Sequence, residues 1–221
     1  FDLVCADEWK QPLTSALYFL GGLTGCFISG QISDRFGRKP ALFGTLASVS
    51  VFSVLLAFAP SWPVFAVLFF LLGVGQIANF VTLFVLGSEI MTGSTRLLYT
   101  NLALPAFYVL SMALLPATAY LVRNWRHLAL VQALPGLACI PLWWLIPEST
   151  RWLVSCGRLK EAELLMRSAA AENGVEAPQT IFLRADVEAS AGPTAPESHS
   201  FLDLVRTGSI RRLTLILWLI W

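Results

Sequence analysis

The sequence predicts an all-α, polytopic membrane protein, and three observations carry that prediction. Hydrophobic residues make up 56% of the 221, charged residues 13%, and mean hydropathy is +0.68. Soluble chains carry about 25% charged residues. Long stretches hold no Asp, Glu, Lys or Arg at all. The basic residues that remain fall mostly on alternate sides of those stretches. A net charge of +1 gives no basic footprint for nucleic acid. Four cysteines are too few for a disulfide-dense scaffold.

A helix that crosses a membrane takes roughly 20 apolar residues. Residues 11–33 form the first such run. Residues 40–88 are long enough for two, divided at Ala59-Pro60-Ser61-Trp62-Pro63, where the prolines cannot continue a helix interior. Residues 97–122 form a fourth span, and 127–147 a fifth that closes before Glu148. A further apolar run opens at Leu213. The expected organisation is an outer loop end at 1–11, five transmembrane helices within 12–147, a cytoplasmic helical loop at 148–212, and the start of another span at 213–221. The chain opens at Phe1 with no Met and no basic leader, so an internal piece of a longer polytopic protein is expected.

Lys and Arg concentrate on the cytoplasmic side of membrane proteins. With 1–10 outside, twelve of the fifteen basic residues fall inside: Arg35, Arg38, Lys39, Arg96, and eight from Arg151 to Arg212. Lys10, Arg123 and Arg126 are left outside, the last two a local exception. Trp9, Trp62 and Trp125 then sit at the outer interface and Trp152 at the inner one. Within 148–212, residues 158–173 read as an amphipathic helix with Leu159, Ala162, Leu165, Met166 and Ala169 on one side. Gly157 precedes it and Gly174 ends it. Residues 185–200 read as a loose linker, and 201–206 as a second short surface helix.

Between the first two spans lies Gly30-Gln31-Ile32-Ser33-Asp34-Arg35-Phe36-Gly37-Arg38-Lys39. It resembles the G-x-x-x-D-R-x-G-R-[RK] loop of the major facilitator superfamily. Gly37 allows a tight turn at the membrane surface, and Gly30 allows close helix approach. Pro147-Glu148-Ser149-Thr150-Arg151-Trp152-Leu153, then Gly157-Arg158 and Glu161-Ala162, resembles the signature that follows the sixth helix of sugar porters and organic ion transporters, with Thr150 in place of the usual Pro. Phe1-Asp2-Leu3-Val4-Cys5 with Trp9-Lys10 is similar to the end of the large extracellular loop of organic ion transporters. Gly73-Val74-Gly75-Gln76-Ile77-Ala78-Asn79-Phe80, then Phe84-Val85-Leu86-Gly87-Ser88-Glu89-Ile90, resembles the fourth helix of the organic cation/carnitine branch of solute carrier family 22. Phe80 stands where that branch often has Tyr.

The resemblance spans the whole chain. It implies a major facilitator fold fragment: the second to sixth transmembrane helices and the start of the seventh. The complete protein would bind substrate at mid-membrane between two six-helix halves and work by alternating access in the plasma membrane. The first helix and the C-terminal half would be its missing partners, with the lipid bilayer and a small organic cation or zwitterion such as carnitine. No cofactor is implied; sodium is the coupling ion the resemblance allows. The alternatives are an organic anion or sugar carrier, or a truncated product that only associates with a full-length one. No nucleophile–base pair stands out, which disfavours an enzyme.

Gln76, Phe80 and Phe84 recur every four residues and share a helix face, with Asn79 beside them. Polar groups at mid-membrane are costly unless they line a cavity or find partners. Aromatic faces attract ammonium groups through cation–π contacts. These four residues are candidate substrate contacts; the alternative is helix packing, with Gln76 and Asn79 bonded to a neighbouring helix. Asp34, Arg35, Arg38, Glu89, Arg96, Glu148 and Arg151 are candidate gating residues. The resemblance implies that Glu89 pairs with Arg35 or Arg38, and Arg96 with Glu148. Gly21, Gly25, Ser29 and Ser33 form a small-residue stripe expected to pack against another helix. Tyr18, Tyr108 and Tyr120 are open as pathway residues. Residues 73–80 lack the Lys and Ser/Thr of a phosphate loop, which disfavours an ATP site there. Cys5 is expected outside, its disulfide partner beyond the chain. Cys26, Cys139 and Cys156 with His127 and His199 support no metal site.

Overall fold

The computed structural model describes residues 7–176 together with Pro178, Ile181, Phe182, Arg212 and Ile216. The linker at 185–200, the short helix at 201–206, Cys5, His199 and, Arg212 and Ile216 apart, the end of the chain lie outside the described residues. Those described are helical, with no strand among them. Five helical stretches are long and apolar enough to cross a membrane.

Helix α1 runs Lys10–Phe36 and stops at Gly37, whose φ of 108° suits a residue without Cβ. Helix α2, Arg38–Ala57, starts at once. Pro40 lies in its first turn, where the missing N–H has no intrahelical partner to lose. The Pro60/Pro63 break opens the outer turn before α3, Trp62–Ile90. The fourth span is three pieces: α4 Gly93–Leu98, a π-helical turn Tyr99–Ala103, and α5 Leu104–Leu121. The ring of Pro105 displaces the carbonyl four residues back, and the wider π turn absorbs that clash. Pro116 lies inside α5 without ending it. Helix α6, Trp125–Cys139, tightens into a 3₁₀ turn, Ile140–Trp144, that begins just before Pro141.

The packing centre is the α1–α3 pair. A Cβ on Gly21 would lie 2.2 Å from the Phe70 carbonyl oxygen, one on Gly25 2.3 Å from that of Val74, and one on Gly73 2.4 Å from that of Tyr18. The two backbones therefore touch. Gly21, Gly25, Ser29 and Ser33 are all buried, as expected of a packing stripe. Helix α2 lies between α3 and α6. The Ser53 hydroxyl donates to the Ala129 carbonyl at 3.1 Å, and Leu42, Phe43 and Leu86 form a core with Ile146 against it. Helix α5 leans on α6 and buries none of its residues. At the end of the bundle expected to face outside, Arg126 reaches the Ala59 carbonyl at 3.4 Å, just past the end of α2. That contact gives one of the two exceptional outer arginines a structural task.

The amphipathic segment forms α8, Leu159–Glu172, preceded by Gly157 and followed by Gly174, both at positive φ. Its apolar side does not lie on the inner ends of the spans. Ala162 is fully buried against Trp152 and Leu153 of α7, Thr150–Ser155, and Leu165 joins them. Helix α7 is what meets the spans.

Candidate functional site

Four segments converge at the end of the bundle assigned to the cytoplasm. The Gly37 turn sets the α2 N-terminus beside Glu148, and one Glu148 oxygen, Oε1, accepts the backbone N–H groups of Arg38 and Lys39, each at 3.0 Å, and of Ser149 at 2.9 Å. The exposed N–H groups and positive end of a helix favour a carboxylate there. A Cβ on Gly37 would come 2.6 Å from Glu148 Oε2 and 3.3 Å from the Trp152 ring. Glycine is thus required twice, by φ and by proximity.

The Arg38 guanidinium lies among three acceptors. It pairs with Asp34, bonds Ser33 Oγ at 3.2 Å, and reaches both Glu89 oxygens at 3.4 Å. Arg38 and Glu89 expose only 15% and 16% of their side chains, so water screens the pair less than a surface bridge. Ser149, fully buried, donates to Glu89 Oε2 at 2.5 Å and accepts the Trp152 N–H as the cap of α7. The Trp152 indole donates to the Asp34 carbonyl at 2.8 Å. The ends of α1, α2 and α3 and the start of α7 are therefore latched together.

Of the gating candidates, Asp34, Arg38, Glu89 and Glu148 meet here. Arg35 lies over the Phe36 ring at 5.6 Å, and Arg151 is exposed. The expected Arg96–Glu148 pair does not form: Arg96 is exposed on α4, while Glu148 is taken up by backbone N–H groups. Ser33, Ser149 and Trp152 were missed. The sequence signal was present in Ser149, which precedes a helix as a good N-cap does.

The other candidate region is midway along α3. Gln76 is exposed, as are Phe80 at 49% and Phe84 at 42%. Asn79 differs: its side chain is hydrogen-bonded to Thr45 Oγ1 on α2 at 3.2 Å, which is the packing arrangement. Gly73 and Gly75 are taken up by contacts with Tyr18 and Val49. Among the described residues, no cluster of His, Cys, Asp and Glu could hold a metal ion.

The family "Sugar (and other) transporter" matches residues 6–221. The chain belongs to this family. It is 48% identical over all 221 residues to organic cation/carnitine transporter 2 of Mus musculus and 46% identical to that of Homo sapiens, covering 40% of either relative. It spans about 40% of the length of these relatives. The major facilitator superfamily proton:xylose symporter XylE aligns with 95% of this transporter segment and 47% of its own chain, at a TM-score of 0.63 and 19% identity. That likeness shows the major facilitator fold. With five helices long and apolar enough to cross a membrane, the chain is a multi-pass plasma-membrane protein of this family.

Proposed function

We propose that the full-length protein is a secondary transporter of organic cations or zwitterions such as carnitine, coupled to sodium and working by alternating access. The observation that carries this reading is the 48% identity to an organic cation/carnitine transporter along the entire segment. Gln76, Phe80 and Phe84 are its substrate contacts. Their face is open in this segment, and an exposed apolar face with one polar group suits a cavity wall closed by the remaining helices. The Phe rings face the ammonium and Gln76 supplies a hydrogen bond. Asn79 holds α3 against α2.

The inner latch is the gate. Its bonds join the ends of three spans to α7, so they hold while the inner side is closed and part when it opens. They bias a two-state balance instead of touching substrate.

Uptake of radiolabelled carnitine by cells expressing the full-length protein tests the reading. Saturable uptake that falls when sodium is replaced is expected. Absence of uptake of both carnitine and tetraethylammonium at verified surface expression overturns it.

A further inference from the structure

At the opposite end of α1, the chain holds an ammonium group in an aromatic setting. The Lys10 Nζ lies 5.4 Å from the Trp62 ring centroid and 6.0 Å from that of Trp9, and 2.6 Å from an Asp7 carboxylate oxygen. The two indoles meet edge to face at 5.9 Å. Trp62 is fixed by its own hydrogen bond to Thr14 Oγ1 at 3.1 Å, and Thr14 is tied to the Lys10 carbonyl at 2.6 Å. Two indole faces and a carboxylate make up the chemistry that recognises alkylated ammonium ions. Lys10 keeps 22% of its side chain exposed and Trp9 is 56% exposed, so the cage opens to solvent. A primary ammonium is strongly hydrated and is held on a flexible stem. A quaternary ammonium loses less hydration on entering the same cage.

We propose that Asp7, Trp9 and Trp62 form an outer binding site for quaternary ammonium compounds, and that Lys10 is its tethered occupant, displaced when such a compound arrives from outside. Trp62, Phe69, Gln76 and Phe80 follow at seven- and four-residue steps down one face of α3. The cage therefore stands at the head of the face assigned to substrate above, on which this proposal rests for its physiological ligand.

The test reads the lysine and needs no transport. Cells expressing the full-length protein are treated with a membrane-impermeant amine-acylating reagent, and modification at Lys10 is measured by mass spectrometry. Saturating external tetramethylammonium chloride should raise Lys10 labelling about 3- to 10-fold over the same concentration of sodium chloride. Trp62→Ala should label fast without any added ammonium. Trp62→Phe keeps an aromatic face and should retain the response, which separates loss of the cage from loss of folding. Labelling indifferent to tetramethylammonium in both the parent and the Trp62→Phe protein overturns the site. A labelling response without carnitine uptake removes only the transport reading; uptake with flat labelling removes only the cage.

Discussion

At the inner end of the bundle, Arg38 and Glu89 leave 15% and 16% of their side chains exposed and are held by Ser33, Asp34 and Ser149. In the C-terminal half of α3, Phe80 and Phe84 leave 49% and 42% open. The first region is completed by partners within this segment. The second presents side chains of the kind a ligand or a further helix would cover. On the proposed function, substitutions in the latch should therefore change how the protein moves, and substitutions on the open face should change what it holds.

The largest effect is expected at the latch. Arg38→Ala leaves Glu89 largely buried without its cation, and a lost charged hydrogen bond costs about 1.5–3 kcal/mol. Uptake per surface molecule should fall about tenfold or more, read by normalising uptake to surface biotinylation. Unchanged turnover would reduce the loop to a topology signal. Glu148→Arg should be similarly severe, because it sets a cation against the positive end of α2. Adding Arg96→Glu should restore nothing, since the two side chains do not pair; partial rescue would break the account of Glu148 as a helix cap. Glu148→Gln keeps an acceptor oxygen and should be milder than Glu148→Arg.

The open face gives the next effect. Phe80→Ala and Phe84→Ala should each weaken apparent substrate affinity about 5- to 30-fold, the equivalent of roughly 1–2 kcal/mol for a desolvated ammonium on a ring. Phe80→Tyr should be tolerated. Normal affinity in both alanine variants at normal surface abundance would return the pair to ordinary packing. Asn79→Ala gives the smallest effect and the sharpest contrast. It should leave affinity unchanged and lower thermal stability by the worth of one hydrogen bond, about 0.5–1.5 kcal/mol, measured as a melting shift in detergent. A large affinity loss at Asn79 would move it onto the substrate face.

Much of this was legible in the chain itself. Charge-free length and the one Pro60/Pro63 break placed the spans to within a few residues, because a helix in lipid must satisfy its backbone internally over a fixed thickness. Four-residue spacing in α1 announced the glycine stripe, since small residues at that step lie on one face. The same logic grouped Gln76, Phe80 and Phe84. It failed for Asn79, next to Phe80 in the chain but about 100° away around the helix, because nothing in α3 tells where Thr45 of α2 will stand.

By itself, the sequence determined the five candidate spans found among the described residues, the amphipathic helix and the loop that resembles the superfamily's, and its basic residues set the expected orientation. Those properties are local: each follows from side chains within one segment and from the bilayer as solvent. Only the tertiary structure decided partners. It gave Glu148 to the backbone of α2 instead of to Arg96, gave Ser149 to Glu89, and laid α8 on α7 instead of on the spans. The first two pairings join residues 110 and 60 positions apart. Charge complementarity makes several acid–base pairs plausible from sequence; the crossing of α1 and α3 at backbone contact, set by Gly21, Gly25 and Gly73, fixes where the helix ends lie. Hydrogen-bond reach then admits only the pairs those ends bring together.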